Sequence, residues 1–148
     1  MHFEKGGHWR NWVGNQSCIS RYKAAPTTEA QLAEMVHEAD AEGLPIRVAG
    51  SGHSFTPVVG TAGLRLSLAG MSGILGRDGN RVTVAAGTRI GDVGRALKGM
   101  GLSLANQGDI DTQAVAGAFT TGTHGTGARL GCLRVDVALV GERQAMLL

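Results

Sequence analysis

The apolar and polar positions divide the chain into short segments of two periods. Leu32, Met35, Val36 and Ala39 recur at i, i+3, i+4 and i+7, behind the capping-box pair Thr28 and Gln31 and ahead of Gly43, which suits a helix C′ position. This predicts one amphipathic helix after Pro26, with its stripe on a core and His37 in solvent. Leu64, Leu66 and Leu68 alternate with Arg65 and Ser67, and Val82 and Val84 repeat the alternation after the turn dipeptide Asp78-Gly79. Both read as half-buried strands. Arg21 to Ala25 and Ile46 to Ala49 are two further strand candidates. Ile90, Val93 and Leu97 share a helical face behind Thr88, expected to be its cap, and this helix ends around Gly101. Its internal Gly91, Gly94 and Gly99 each weaken it by about 1 kcal/mol relative to alanine. Leu102 to Leu104 reads as a strand, Ala114 to Phe119 as a helical turn packed by Val115 and Phe119, and the tail from Val135 opens like a strand. Strands mixed among helices, with no internal repeat, give an α+β or α/β class.

Composition sharpens this picture at one point, the glycines. The 148 residues suit a single domain, yet 24 are glycine, against an average near 7%, and 18 of them lie between Gly50 and Gly127. Glycine concentrated among apolar segments argues for a binding surface built from loops rather than for a low-complexity tail. The net charge of +2, without a Lys/Arg cluster, speaks against a nucleic-acid partner. Cys18 and Cys132 are isolated and read as free, partly buried thiols in a reducing compartment. With no signal-type apolar stretch and no run of about 18 apolar residues, the expectations are no membrane span and a cytoplasmic location. Residues 1–17 carry Trp9 and Trp12 and are set apart as an N-terminal segment, either docking on another part of a larger protein or packing on the domain of 18–148.

Two glycine loops carry the candidate chemistry. The first, VAGSGHSFTP at 48–57, follows a predicted strand, exposes backbone N–H groups and adds the hydroxyls of Ser51 and Ser54, a combination that binds anionic oxygens. It is not a Walker loop, having no lysine, and Phe55 stands where a dinucleotide fingerprint needs its third glycine. The second, Gly122-Thr123-His124-Gly125-Thr126-Gly127, repeats the chemistry about seventy positions later. Two nests suggest a long ligand containing a diphosphate; tight turns are the alternative for either loop alone. A metal site finds little support. An EF-hand starting at Asp109 would place Ala114 and Thr120 where Gly and Glu are required, and His53 and His124 lack zinc-ligand spacing.

RVAGSGHSF at 47–55 together with NQGDIDTQAVAGAFTTGTHGTG at 106–127 closely resembles the FAD domain of the vanillyl-alcohol-oxidase-type (PCMH-type) flavoproteins, and within them the gulonolactone, arabinono-1,4-lactone and alditol oxidases. The likeness runs from about Trp9 to Gly131. It implies an α+β FAD-binding domain of two subdomains, the second incomplete here. It also implies that Val48, Ala49, Gly50, Ser51, Gly52 and Ser54 surround the pyrophosphate. His53 takes the position joined to the flavin 8α-methyl, with a noncovalent contact as the alternative. Asp109, Ala114, Gly117, Ala118, Phe119, Thr120, Gly122, Thr123, His124 and Gly125 would line the flavin and its ribityl chain. Gly108 falls beside the reactive flavin carbon, where a missing methyl admits O2, so an oxidase rather than a dehydrogenase is expected.

The implied reaction is hydride transfer from a carbinol of a sugar lactone or polyol to flavin, then reoxidation by O2 to hydrogen peroxide. The family's substrate and acid/base residues lie in a C-terminal domain, so no catalytic side chain is assigned here. The chain is expected to be a fragment that binds FAD weakly, if at all, and turns over no substrate. A noncatalytic remnant and a nicotinamide-dependent flavin reductase of the cell-wall precursor type are the competing readings.

Overall fold

A helix placed between two strands directs the N-terminal half toward parallel pairing. In the computed structural model, which describes residues 2–133 and the backbone of 136–140 and 143–147, the chain forms two units, Met1–Met71 and Ser72–Leu148. The first contains β1 (Glu4–Lys5), β2 (His8–Arg10), β3 (Ser17–Ile19), β4 (Tyr22–Ala24), α1 (Glu29–Ala41), β5 (Ile46–Val48) and β6 (Leu64–Leu66). Its main sheet has the order β1-β4-β6-β5, and β2 and β3 form a separate antiparallel ribbon. The β1–β4 pair is antiparallel, whereas β4 and β5 both run parallel to β6, with Ala24 and Val48 in register with Leu66.

The expected capping of α1 is present, with one change. Thr28 accepts a hydrogen bond from the Gln31 N–H, but the Gln31 side chain returns to the Thr27 N–H and hydroxyl, one residue upstream of the cap. Met35 and Ala39 bury against Ala24, Leu64 and Leu66. Val36, expected on the same stripe, is 39% exposed. The strands beneath are only two or three residues long, so α1 has a narrow seat. His37 is exposed, and Leu68 lies beyond the end of β6.

Adjacent parallel strands need a long crossover, ordinarily a helix. Between β5 and β6 residues 49–63 make it without one. The first glycine loop therefore leaves the carboxyl end of β5, the edge at which open α/β sheets hold ligands.

The second unit contains β7 (Ile74–Asp78), β8 (Arg81–Val84), α2 (Ile90–Gly99), α3 (Val115–Thr120), β9 (Asp136–Val140) and β10 (Arg143–Leu147). Its sheet is antiparallel throughout, in the order β7-β8-β10-β9, with a register shift between Ile74 and Gly76. Val82, Val84, Ile90, Val93, Leu97, Val115, Ala118 and Leu133 form its core. The tail supplies two paired strands rather than one opening strand; Val135 itself lies outside the described residues.

Three local expectations are corrected. Thr88 does not cap α2: the N-cap is Arg89, without a side-chain bond. Thr88 is buried instead, its hydroxyl donating to the Ala85 and Gly73 carbonyls and accepting from the Gly73 N–H at 2.9 Å. Leu102 to Leu104 forms no strand; both leucines pack half-buried on the core, so the alternation is real but has no ladder beside it. Cys18 is half-buried, whereas Cys132 is exposed; both are free thiols.

Helices α2 and α3 cap each other through backbone. The Ile90 and Gly91 N–H groups donate to the Gln113 and Asp111 carbonyls, while Val115 and Ala116 donate to those of Thr88 and Ala86. These donors, orphaned by helix geometry, are thus satisfied without side chains.

Candidate cofactor site

The first loop is held open by short polar contacts and a single left-handed residue. Gly52 sits at φ +74°, a conformation that side chains disfavour. Val48 and the stretch Gly50–Ser51 are exposed, Gly52, His53 and Ser54 are half-buried, and Ala49 is buried, its N–H donating to Leu66 O at 2.8 Å. Two aromatic side chains stay out of any core here: Trp12 is 68% and Phe55 62% exposed. Trp12 and His53 stack with ring centroids 5.3 Å apart and planes inclined by 35°.

The N-terminal segment grips this loop from outside. Trp12 N–H donates to Gly52 O at 2.9 Å, Asn11 Nδ2 to Ser54 O at 2.9 Å, and Asn15 Nδ2 and Gln16 Nε2 to Phe55 O at 3.2 and 3.0 Å. The sequence offers docking on another part of a larger protein or packing on this domain for Trp9 and Trp12, and does not single out Asn11, Asn15 and Gln16. Three side-chain amides crowded into NWVGNQ are the signal that could have found them.

The second loop is built around α3. Val115 and Ala118 point into the core, so Ala118 offers no side chain to a ligand, whereas Phe119 is half-buried at the core's margin. Gly117 faces open space where a Cβ would stand, a gap through which a ligand can approach the helix backbone. Thr120 turns its hydroxyl back onto Ala116 O at 2.8 Å. Gly122, at φ +64°, ends α3: Gly122 N–H donates to Phe119 O and Thr123 N–H to Ala118 O, the paired bonds of a Schellman cap.

Beyond the cap, Thr123 Oγ1 accepts from Gln113 Nε2 at 3.3 Å. His124 is exposed, and its Nδ1 lies 2.8 Å from Gly125 O, which makes Nδ1 the protonated nitrogen because a carbonyl only accepts. Asp109 is exposed, Ala114 and Gly108 are half-buried, and Asn106 Nδ2 donates to Gly131 O. A cavity of about 550 Å³ lies nearby, between Leu102–Asn106 and Leu130–Leu133.

Among the described residues no three His, Cys, Asp or Glu side chains gather to hold a metal ion, and no helix is long and apolar enough to cross a membrane. A loop rich in bare backbone and hydroxyls, flanked by exposed aromatic rings, suits a ligand with an anionic part and a flat aromatic part. A flavin dinucleotide has both.

Known proteins provide an independent comparison. Over 123 residues the chain is 41% identical to the L-gulono-1,4-lactone dehydrogenase of Mycobacterium tuberculosis, covering 82% of this chain and 29% of that protein. It is 34% identical over 145 residues to the D-arabinono-1,4-lactone oxidase of Eremothecium gossypii, covering 91% and 27%. The chain thus spans less than a third of the length of these relatives. Among solved structures, cholesterol oxidase from Brevibacterium sterolicum superposes with a TM-score of 0.75 at 19% identity, over 97% of this chain and 32% of that one, a likeness of fold. Residues 21–140 match the FAD-binding domain family, and the chain belongs to it.

Proposed function

We propose that the chain is the FAD-binding portion of an oxidoreductase that acts on a CH–OH group of a sugar lactone or polyol. The observation that carries this reading is the His53 loop: bare backbone at the carboxyl end of β5, a left-handed Gly52, and an imidazole beside the exposed Trp12 ring. A flavin held by these residues would supply a hydride acceptor for a carbinol carbon. Val48 to Gly52 and Ser54 bind the diphosphate, and His53 anchors the ring, by a bond to the flavin 8α position or by contact alone. Gly108, Asp109, Ala114, Gly117, Ala118, Phe119, Thr120 and Gly122 to Gly125 line the flavin and its ribityl chain, Ala118 through its backbone.

Oxygen is the proposed acceptor, meeting the flavin beside Gly108, and hydrogen peroxide would be the product. The mycobacterial relative, named a dehydrogenase, favours a second reading in which another acceptor takes the electrons. Stopped-flow mixing of the reduced flavoprotein with O2 in one experiment and with an artificial dye acceptor in another separates the two. A test of Gly108→Ala needs flavin affinity measured beside it, because the added methyl would stand 3.1 Å from Thr123 Cγ2 and 3.3 Å from His124 O.

Titration of the full chain with FAD, followed by flavin fluorescence, tests cofactor binding, and in-gel fluorescence after denaturation tests the bond. Weak but saturable binding is the expected result, and a denaturation-resistant band that His53→Ala removes would mark the bond, its absence contact alone. Absence of saturable binding overturns the reading.

A further inference from the structure

We infer that Trp12 is a positioning residue for His53, its indole fixing the plane of the imidazole; the purpose of that restraint rests on the flavin reading above. Trp12 reaches its neighbour in two ways at once. Its ring lies against the imidazole with centroids 5.3 Å apart, and its backbone N–H donates to Gly52 O at 2.9 Å, one residue before His53. Asn11 Nδ2 donates to Ser54 O at 2.9 Å, one residue after it. Consecutive residues of the N-terminal segment therefore bracket His53 through the carbonyls on either side.

The bracket is rigid because Asn11 is fully employed. It is buried, 5% exposed; its Nδ2 also donates to Asn15 Oδ1 at 2.7 Å, and its Oδ1 accepts from Gln16 N–H at 3.0 Å. Its backbone N–H reaches Gln16 O at 3.0 Å, and Gly14 N–H returns to Asn11 O at 3.1 Å. Trp12 thus rides on a closed turn.

Core packing does not explain the indole. A tryptophan normally buries most of its large surface, yet Trp12 leaves 68% of its area in solvent. What it does cover is the face of His53. The χ2 torsion of a histidine is broad, so a half-buried imidazole without a ring beside it would swing through a wide range of planes. The indole narrows that range, and a ligand meeting the imidazole finds its plane already set.

The experiment is proton NMR of the imidazole signals in the full chain, with His53 assigned through His53→Gln, together with FAD affinity, in Trp12→Ala and Trp12→Phe. Ring-current shielding should move the His53 carbon-bound protons upfield; Trp12→Phe should keep part of the shift and Trp12→Ala none, with unchanged unfolding midpoints. FAD affinity should fall about tenfold in Trp12→Ala and recover largely in Trp12→Phe. Identical His53 signals in wild type and Trp12→Ala overturn the proposal, as does a lost shift with unaltered affinity. If the wild-type chain shows the shift but takes up no FAD, Trp12 still orients His53 and the flavin reading is what fails.

Discussion

Gly125 stands so close to Gln107 that a Cβ added at residue 125 would lie 2.6 Å from the Gln107 carbonyl oxygen and 2.9 Å from Asn106 Oδ1. The 106–108 segment and the end of the second glycine loop are packed backbone to backbone, which gives part of that loop a structural reason for its glycines. Gly125→Ala must push the peptide itself aside and should destabilise the chain by about 1–3 kcal/mol, read as a lower denaturant midpoint at unchanged slope. Gly108→Ala meets a rotatable Thr123 methyl first, and its cost should be smaller.

Gly52 presents the opposite case, with ample room but a restrictive backbone. The nearest atoms to an added Cβ lie at 3.5 Å, so Gly52→Ala is limited by its φ of +74° and should cost about 1–2 kcal/mol. The loop would shift to relieve it. FAD affinity should fall further than stability alone predicts, which fluorescence titration well below the unfolding midpoint would show.

Thr88 links Gly73, the residue before β7, to the turn after β8 and the α2 entry through one hydroxyl. Thr88→Val keeps the volume and strands the Gly73 N–H, so a loss of about 1–3 kcal/mol is expected by chemical denaturation. Were Thr88 acting as a helix cap, Thr88→Asn would preserve stability; a buried bridging role predicts that it will not.

Asn11→Asp replaces two donors with an oxygen facing Asn15 Oδ1 and Ser54 O. The repulsion should loosen the turn at a cost of about 2 kcal/mol and release residues 52–55, visible as faster proteolysis within the first unit. Stability and proteolysis equal to wild type would mean that Asn11 does not hold the loop.

The legible parts of this fold were those whose signals lie within one turn of chain. Thr28, Gln31 and Gly43 mark α1 without reference to anything distant, and Asp78-Gly79 marks the β7–β8 hairpin. Thr88 was misread because a hydroxyl ahead of an apolar helical face looks the same whether it caps that helix or bonds Gly73 from within the core. Gly122 is ambiguous for a similar reason: a glycine that ends a helix and one that cradles an anion share a sequence. His53 and the two loops stand out by composition. The grip of Asn11 and Trp12 does not, because its partners lie about forty residues away and only folding brings them together.

The proposed function has FAD contacting residues of both glycine loops. Amide hydrogen exchange of the full chain, with and without saturating FAD, reads this directly. Slowed exchange in both 48–55 and 106–125 is the predicted result; slowing confined to one of these segments, or to neither, contradicts it.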